Sequence, residues 1–197
     1  MDEGYIKYRS FWTKKFIRVD NALFRELNRW RNEFYRRNWI GMYDSGIGFG
    51  NISMRLDEKR FLISGSATGG VAEADIRHYA LVTDFSIDEN SVQSEGASEA
   101  SSESLTHAAL YECDTDICSV LHIHDRQIWE KYRNRIPTTD AAVSYGTHQM
   151  ARAIQQCCKE INARQGVMVM GGHPEGIIAF GPDFESILTG LTQLRVK

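Results

Sequence analysis

Two histidines one residue apart, His122 and His124, close the run ICSVLHIH at residues 117–124. Its β-branched and apolar character predicts a strand. Residues i and i+2 of a strand project from one face, so both imidazoles can reach one ion. A single histidine is more often a surface or satisfied core residue. Two in phase inside an apolar strand would leave two polar rings to satisfy, which favours a divalent metal, zinc first. A catalytic zinc site usually has three protein ligands and an open position. The candidates for the third are His78, His107, His148 and His173. His148 begins a helical pattern. His107 lies inside another, one turn after Glu103, and reads as a core or supporting residue. His173 follows the apolar run GVMVM in the glycine-rich turn GGHPEG, where a strand end can present it beside a neighbouring strand.

Glu103 is the candidate acid/base. It starts a helical pattern beside Ser101 and Ser102, where unpaired amides also favour an anion such as phosphate. A plain first-turn glutamate, stabilising the helix, is an equally good reading of that residue. Asn51 after Gly50, and Gly65 and Ser66 after Ser64, are small or amide-bearing turns able to wrap a phosphate without a cationic side chain.

These residues need elements to hold them. Residues 21–38 carry Leu23, Phe24, Leu27, Trp30 and Phe34 at spacings of three and four, the pattern of an amphipathic helix packed on a sheet. GNISMRL and FLISGS around the charged turn at residues 57–60 read as a hairpin. A short helix start is expected over residues 74–78, then a strand at residues 79–85 with Leu81 and Phe85 on one face. Residues 91–104, SVQSEGASEASSES, have a linker's composition. They run straight into the helix pattern LTHAALYE, with serines at its N-terminus, so they are expected to be ordered. Residues 125–140 are polar. Thr147 caps a helix at residues 148–163, with Gly166 just past its end. GVMVM and IIAF are strands, and residues 183–194 form a last helix. The predicted fold is an α/β layered domain with a central, predominantly antiparallel sheet covered by helices.

At 197 residues the chain fits one domain, residues 1–197. With 42% hydrophobic and 25% charged residues and no long apolar run, it reads as soluble and not membrane-inserted. The N-terminus, MDEGYIKYRSFWTKKF, lacks a signal peptide's apolar segment, which points to the cytoplasm. A net charge of −3 argues against a nucleic-acid binder. The ten Lys/Arg among residues 7–37 read instead as the polar side of a surface helix. Four cysteines without a CxxC pair read as reduced thiols.

The ordered set GNIS, ISGS, SSESLTHAALY, VLHIHD, YGTHQMA and GGHPEGIIAFGPD, spread from about residue 20 onward, resembles the class II aldolase/adducin family. That family includes fuculose-phosphate and rhamnulose-phosphate aldolases and ribulose-phosphate 4-epimerases. The resemblance implies His122, His124 and His173 as ligands of Zn2+ or another divalent metal, and Glu103 as the acid/base. It assigns phosphate to Asn51, Gly65, Ser66, Ser101 and Ser102. It implies a homotetramer acting on a phosphorylated sugar by reversible retro-aldol cleavage. A related epimerase, dehydratase or decarboxylase would use the same ligands, and an adducin-like non-catalytic interaction domain is the reading from another class. A Schiff-base aldolase is disfavoured, since none of the seven lysines lies in an apolar strand. An HxH hydrolase would ordinarily need a barrel of about 250 residues. The chain departs from the family's usual Asn-His-Gly turn: Gly172-His173-Pro174-Glu175-Gly176 brings in a proline and a second acid.

Overall fold

Asp20 sets the first helix, α1 (Asn21–Arg36), by accepting hydrogen bonds from the amides of Ala22 and Leu23 at 2.8 and 3.0 Å. The structure is a computed structural model and describes residues 5–196. The first four residues of the N-terminal stretch, and Lys197, lie outside the described residues. α1 turns Leu27, Trp30, Arg31 and Phe34 inward and stops where Asn38 adopts a left-handed conformation (φ 56°).

Eight strands form one sheet. In chain order they are β1 (Arg9–Lys14), β4 (Asn51–Arg55), β5 (Phe61–Ser64), β6 (Tyr79–Ser86), β7 (Ser91–Gly96), β8 (Ser119–His124), β9 (Gly166–Val169) and β10 (Gly176–Gly181). β2 (Gly41–Met42) and β3 (Gly48–Phe49) make a separate small hairpin. The large sheet runs β1-β7-β6-β5-β4-β8-β10-β9. Every neighbouring pair is antiparallel except β1 with β7.

The remaining helices are α2 (Ser104–Cys113), α3 (Arg126–Tyr132), α4 (His148–Ile161) and α5 (Phe184–Val196). One sheet face packs on α2 and α4 through Leu105, Ala108, Met150 and Ile154. The other packs on α1, α3 and α5 through Leu27, Phe34, Ile128, Phe184 and Leu191. The alternation of β8 divides its side chains between these layers: Val120 belongs to the α2/α4 side, Leu121 and Ile123 to the other. His122 and His124, in phase with Val120, therefore face α2 and α4.

This is the α/β layered fold with a largely antiparallel sheet read from the sequence, and the β4–β5 hairpin has the expected partners, Met54 opposite Leu62. The serine-rich segment is ordered as β7 and the turn that leads to α2. Two expectations change, and one segment read only as polar gains a helix. The basic stretch at residues 7–37 is not all helix: Arg9–Lys14 is a strand on the sheet edge, where exposed charges on both faces hide the alternation. Leu81 and Phe85 do not share a face, because a bulge between Val82 and Asp84 shifts the alternation. Phe85 joins the core under α2 and α4 with Val82, while Leu81 packs on the opposite side. The polar segment at residues 125–140 contains α3, capped by Asp125, whose carboxylate accepts from Ile128 N at 3.0 Å.

Candidate metal centre and its surroundings

His122 sits in mid-ladder on β8, opposite Asn51 of β4 on one side and Ile178 of β10 on the other. Its Nδ1 lies 3.1 Å from the carbonyl oxygen of Ile177. A carbonyl can only accept, so Nδ1 carries the proton and Nε2 is the nitrogen with ligand character. His124 is the last residue of the strand. Its Nδ1 is 2.6 Å from the hydroxyl of Tyr43, and the ring of Phe49 stacks on it at 5.2 Å between centroids.

His173 lies in the tight turn between β9 and β10, closed by bonds from its amide to Met170 O (3.0 Å) and from Gly176 N to its carbonyl (2.8 Å). The turn packs so closely that a Cβ on Gly176 would stand 2.7 Å from the His173 ring. Tyr145 stacks on that ring at 4.0 Å, and the Lys7 ammonium lies 4.0 Å from the centre of the Tyr145 ring while donating to Tyr145 O at 3.0 Å. All three histidines are buried, and one nitrogen from each lies within 4.8 Å of the others. Three converging imidazole nitrogens beside a cleft suit a divalent ion that keeps an open position for substrate.

Glu103 stands immediately before α2 and is 2% exposed. The helix begins at Ser104, slightly later than the sequence pattern suggests. Its carboxylate accepts from the Thr106 hydroxyl at 2.6 Å, while the Ser101 hydroxyl accepts from the Glu103 amide at 3.3 Å. Glu103 is not one of the mutually close donors. Its Oε1 would be 3.9 Å from a Cβ on Gly146, which puts it beside the segment carrying Tyr145.

Asn51, Gly65, Ser66, Ser101 and Ser102 come together in a small polar hollow of about 20 Å³, the size of a single water site. Asn51 Oδ1 is buried there and makes no hydrogen bond among the described residues. Gly50 lets the chain enter the hollow: its φ is 72°, and a Cβ would lie 2.7 Å from Trp39 O. The hollow is braced by side chains whose roles the sequence did not disclose. Arg31, reaching from α1, donates to the carbonyls of Thr68 (2.9 Å), Gly69 (3.0 Å) and Val71. The Tyr8 hydroxyl donates to the carbonyls of Ala100 and Ser101.

The other histidines serve elsewhere. His78 accepts from the Asp75 amide at 3.0 Å, and His148 starts α4 behind the Thr147 cap. His107 is fully buried against Ser53 at 2.7 Å, and burial pulls its pKa down to about 3, so it is neutral at ordinary pH. All four cysteines are free thiols.

The class II aldolase and adducin N-terminal domain model matches residues 25–129, more than half of the chain and a span that holds His122, His124, Glu103 and the whole polar hollow. The chain belongs to this family. His173 lies outside the matched span and is brought in by the β9–β10 turn alone. Among solved structures, an L-fuculose 1-phosphate aldolase superposes with a TM-score of 0.67 at 17% identity, covering 90% of this chain and 84% of that one. YgbL from Escherichia coli gives 0.64 at 17% identity over 88% and 84%. L-fuculose 1-phosphate aldolase from Glaciozyma antarctica PI12 gives 0.56 at 14% identity over 89% and 72%. At these identities the likeness establishes the class II aldolase fold. No curated protein sequence matches the chain. No helix among the described residues is long and apolar enough to cross a membrane.

Tyr43 and Glu175 complete the surroundings. Both line a cleft of about 590 Å³ that opens onto His124 and His173, large enough for a monosaccharide. The sequence carried a signal for Glu175, the extra acid in the His173 turn. It carried none for Tyr43, whose position depends on the small β2–β3 hairpin.

Proposed function

We propose that this chain is a divalent-metal lyase, with zinc the favoured ion, that cleaves a carbon–carbon bond of a phosphorylated sugar in a reversible retro-aldol reaction. The observation that carries the reading is the set of three buried imidazoles with nitrogens within 4.8 Å of one another beside an open cleft. A divalent ion held by His122, His124 and His173 would polarise the substrate's carbonyl or hydroxyl oxygen and offset the negative charge that develops on bond cleavage.

The chain's own groups supply the rest. The cleft shields the reacting carbon, with Tyr145 stacked behind His173. Glu103 moves the proton, from a buried position where its carboxylate is oriented by the Thr106 hydroxyl. Asn51, Gly65, Ser66, Ser101 and Ser102 hold the phosphate and so fix the sugar's register against the histidines. For this, Asn51 must present its amide NH2 to the anion in place of the buried Oδ1, and the hollow, water-sized here, must widen.

The domain acts as one unit over residues 1–197. The homotetramer implied by the family resemblance belongs to the same proposal, and sedimentation of the purified chain tests it. The decisive assay for the activity incubates zinc-loaded protein with a panel of sugar phosphates and measures release of triose phosphate or a short aldehyde. Release that depends on added metal supports retro-aldol chemistry. Isomer interconversion without release would move the chain to an epimerase.

A further inference from the structure

We infer that Tyr43 and Glu175 are positioning residues that act through His124, forming a carboxylate–phenol–imidazole chain that aims His124 Nε2 at the metal. The inference rests on the reading of the three histidines as a metal centre, and it adds two side chains to that centre.

The two strand histidines differ in how their rings are fixed. His122 lies within the ladder, and the carbonyl of Ile177 on β10 takes its Nδ1 proton. His124 is the terminal residue of β8, paired with Gly176, the first residue of β10, so the ladder ends beside it. A side chain must supply the acceptor that backbone supplies to His122. Tyr43 is in place at 2.6 Å from His124 Nδ1.

A phenol can donate to an imidazole or accept from one, and Glu175 decides which. The Tyr43 hydroxyl donates to Glu175 Oε2 at 2.9 Å. With its single proton committed to the carboxylate, the phenol oxygen accepts from His124 Nδ1–H. In that tautomer Nε2 is the unprotonated ring nitrogen, the one able to ligate an ion. Hydrogen bonding of this kind fixes ring orientation and tautomer and raises the basicity of a metal-bound histidine.

Both partners are held for the task. Tyr43 opens a tight turn, its amide bonded to Ile47 O at 2.9 Å, and its ring packs on Phe49 at 4.6 Å between centroids. Glu175 sits in the left-handed region at φ 67°, a conformation that side chains other than glycine, asparagine and aspartate rarely adopt. The turn thus keeps a carboxylate where a glycine would be the easier choice, two residues from His173.

The test is metal affinity, measured by chelator competition on Tyr43→Phe, Glu175→Ala and Glu175→Gln, with the visible spectrum of the cobalt-substituted proteins as a second readout. Loss of such a supporting bond typically weakens binding about 10–100-fold. We expect Tyr43→Phe and Glu175→Ala each to weaken zinc binding by about that factor and to shift the cobalt bands. Their double variant should be little worse than either alone, because Glu175 acts through Tyr43. Glu175→Gln, which can still accept from the phenol, should recover most of the affinity. Variants that bind zinc as tightly as the parent with an unchanged cobalt spectrum overturn the inference, and so does lowered melting of the metal-free protein with normal affinity. A parent chain that binds no metal overturns the metal-centre reading and this inference with it.

Discussion

The histidine centre and the polar hollow are neighbours, joined where His122 of β8 pairs with Asn51 of β4, yet they are built from opposite materials. The centre is made of side chains with unusual chemistry, each ring fixed by a hydrogen bond or a stacked aromatic. The hollow is made of glycines, serines and backbone, and is held open by groups outside it, Arg31 on α1 and Tyr8 near the N-terminus. Reactive side chains announce themselves in a sequence by type and spacing. A backbone cradle announces itself more weakly: its glycine, serine and asparagine turns could be read as anion sites, but not the arginine and tyrosine that brace them.

Glu103, next to Ser102 of the hollow and beside the segment carrying Tyr145, offers the largest test of the contrast. Glu103→Gln should keep metal content and melting temperature while losing about 10²–10⁴-fold in turnover, the usual contribution of a general acid or base. A variant with normal turnover would return Glu103 to a structural role at the head of α2 and leave the hollow without a catalytic neighbour.

Ser102→Ala probes the hollow alone. A hydrogen bond to a charged group is worth about 1.5–3 kcal/mol, so KM for the phosphorylated substrate should rise about 10–100-fold with metal content unchanged and kcat within a few-fold. Equal loss of kcat would mean that the hollow and the histidine centre cannot be separated in function.

His107 should have the smallest effect on rate and show instead in stability. Its imidazole is neutral in both states above its ordinary pKa of 6.5. Between pH 6.5 and about 3 only the unfolded chain takes up the proton, so stability falls as pH drops through that window. His107→Asn should flatten the acid limb of the stability curve by up to about 1.4 kcal/mol per pH unit while leaving zinc affinity near that of the parent. An unchanged slope would contradict a buried neutral His107, and a large loss of zinc would make it part of the centre.

The same contrast explains what could be read from the chain. His122 and His124 were legible because period-two projection in an apolar strand needs no tertiary information. His173 was legible from a strand followed by glycines. Ser101, Ser102 and Glu103 were placed by helix-start chemistry, despite a composition that imitates a linker. Tyr43 was invisible because β2 and β3 are two residues each, too short for any periodicity. Tyr8 and Arg31 were obscured by the basic run around them, where the edge strand β1 and one inward-facing arginine look like any solvated surface. The reversal of Phe85 came from a one-residue bulge, which alternation cannot anticipate.

Metal content tests the central claim most directly. Protein purified without chelator, or reloaded after chelation, should hold one divalent ion per chain by elemental analysis. His122→Ala should lose it, and His107→Asn should retain it. A parent protein with negligible metal that zinc cannot restore, or a His122→Ala variant that binds as the parent does, would contradict the account.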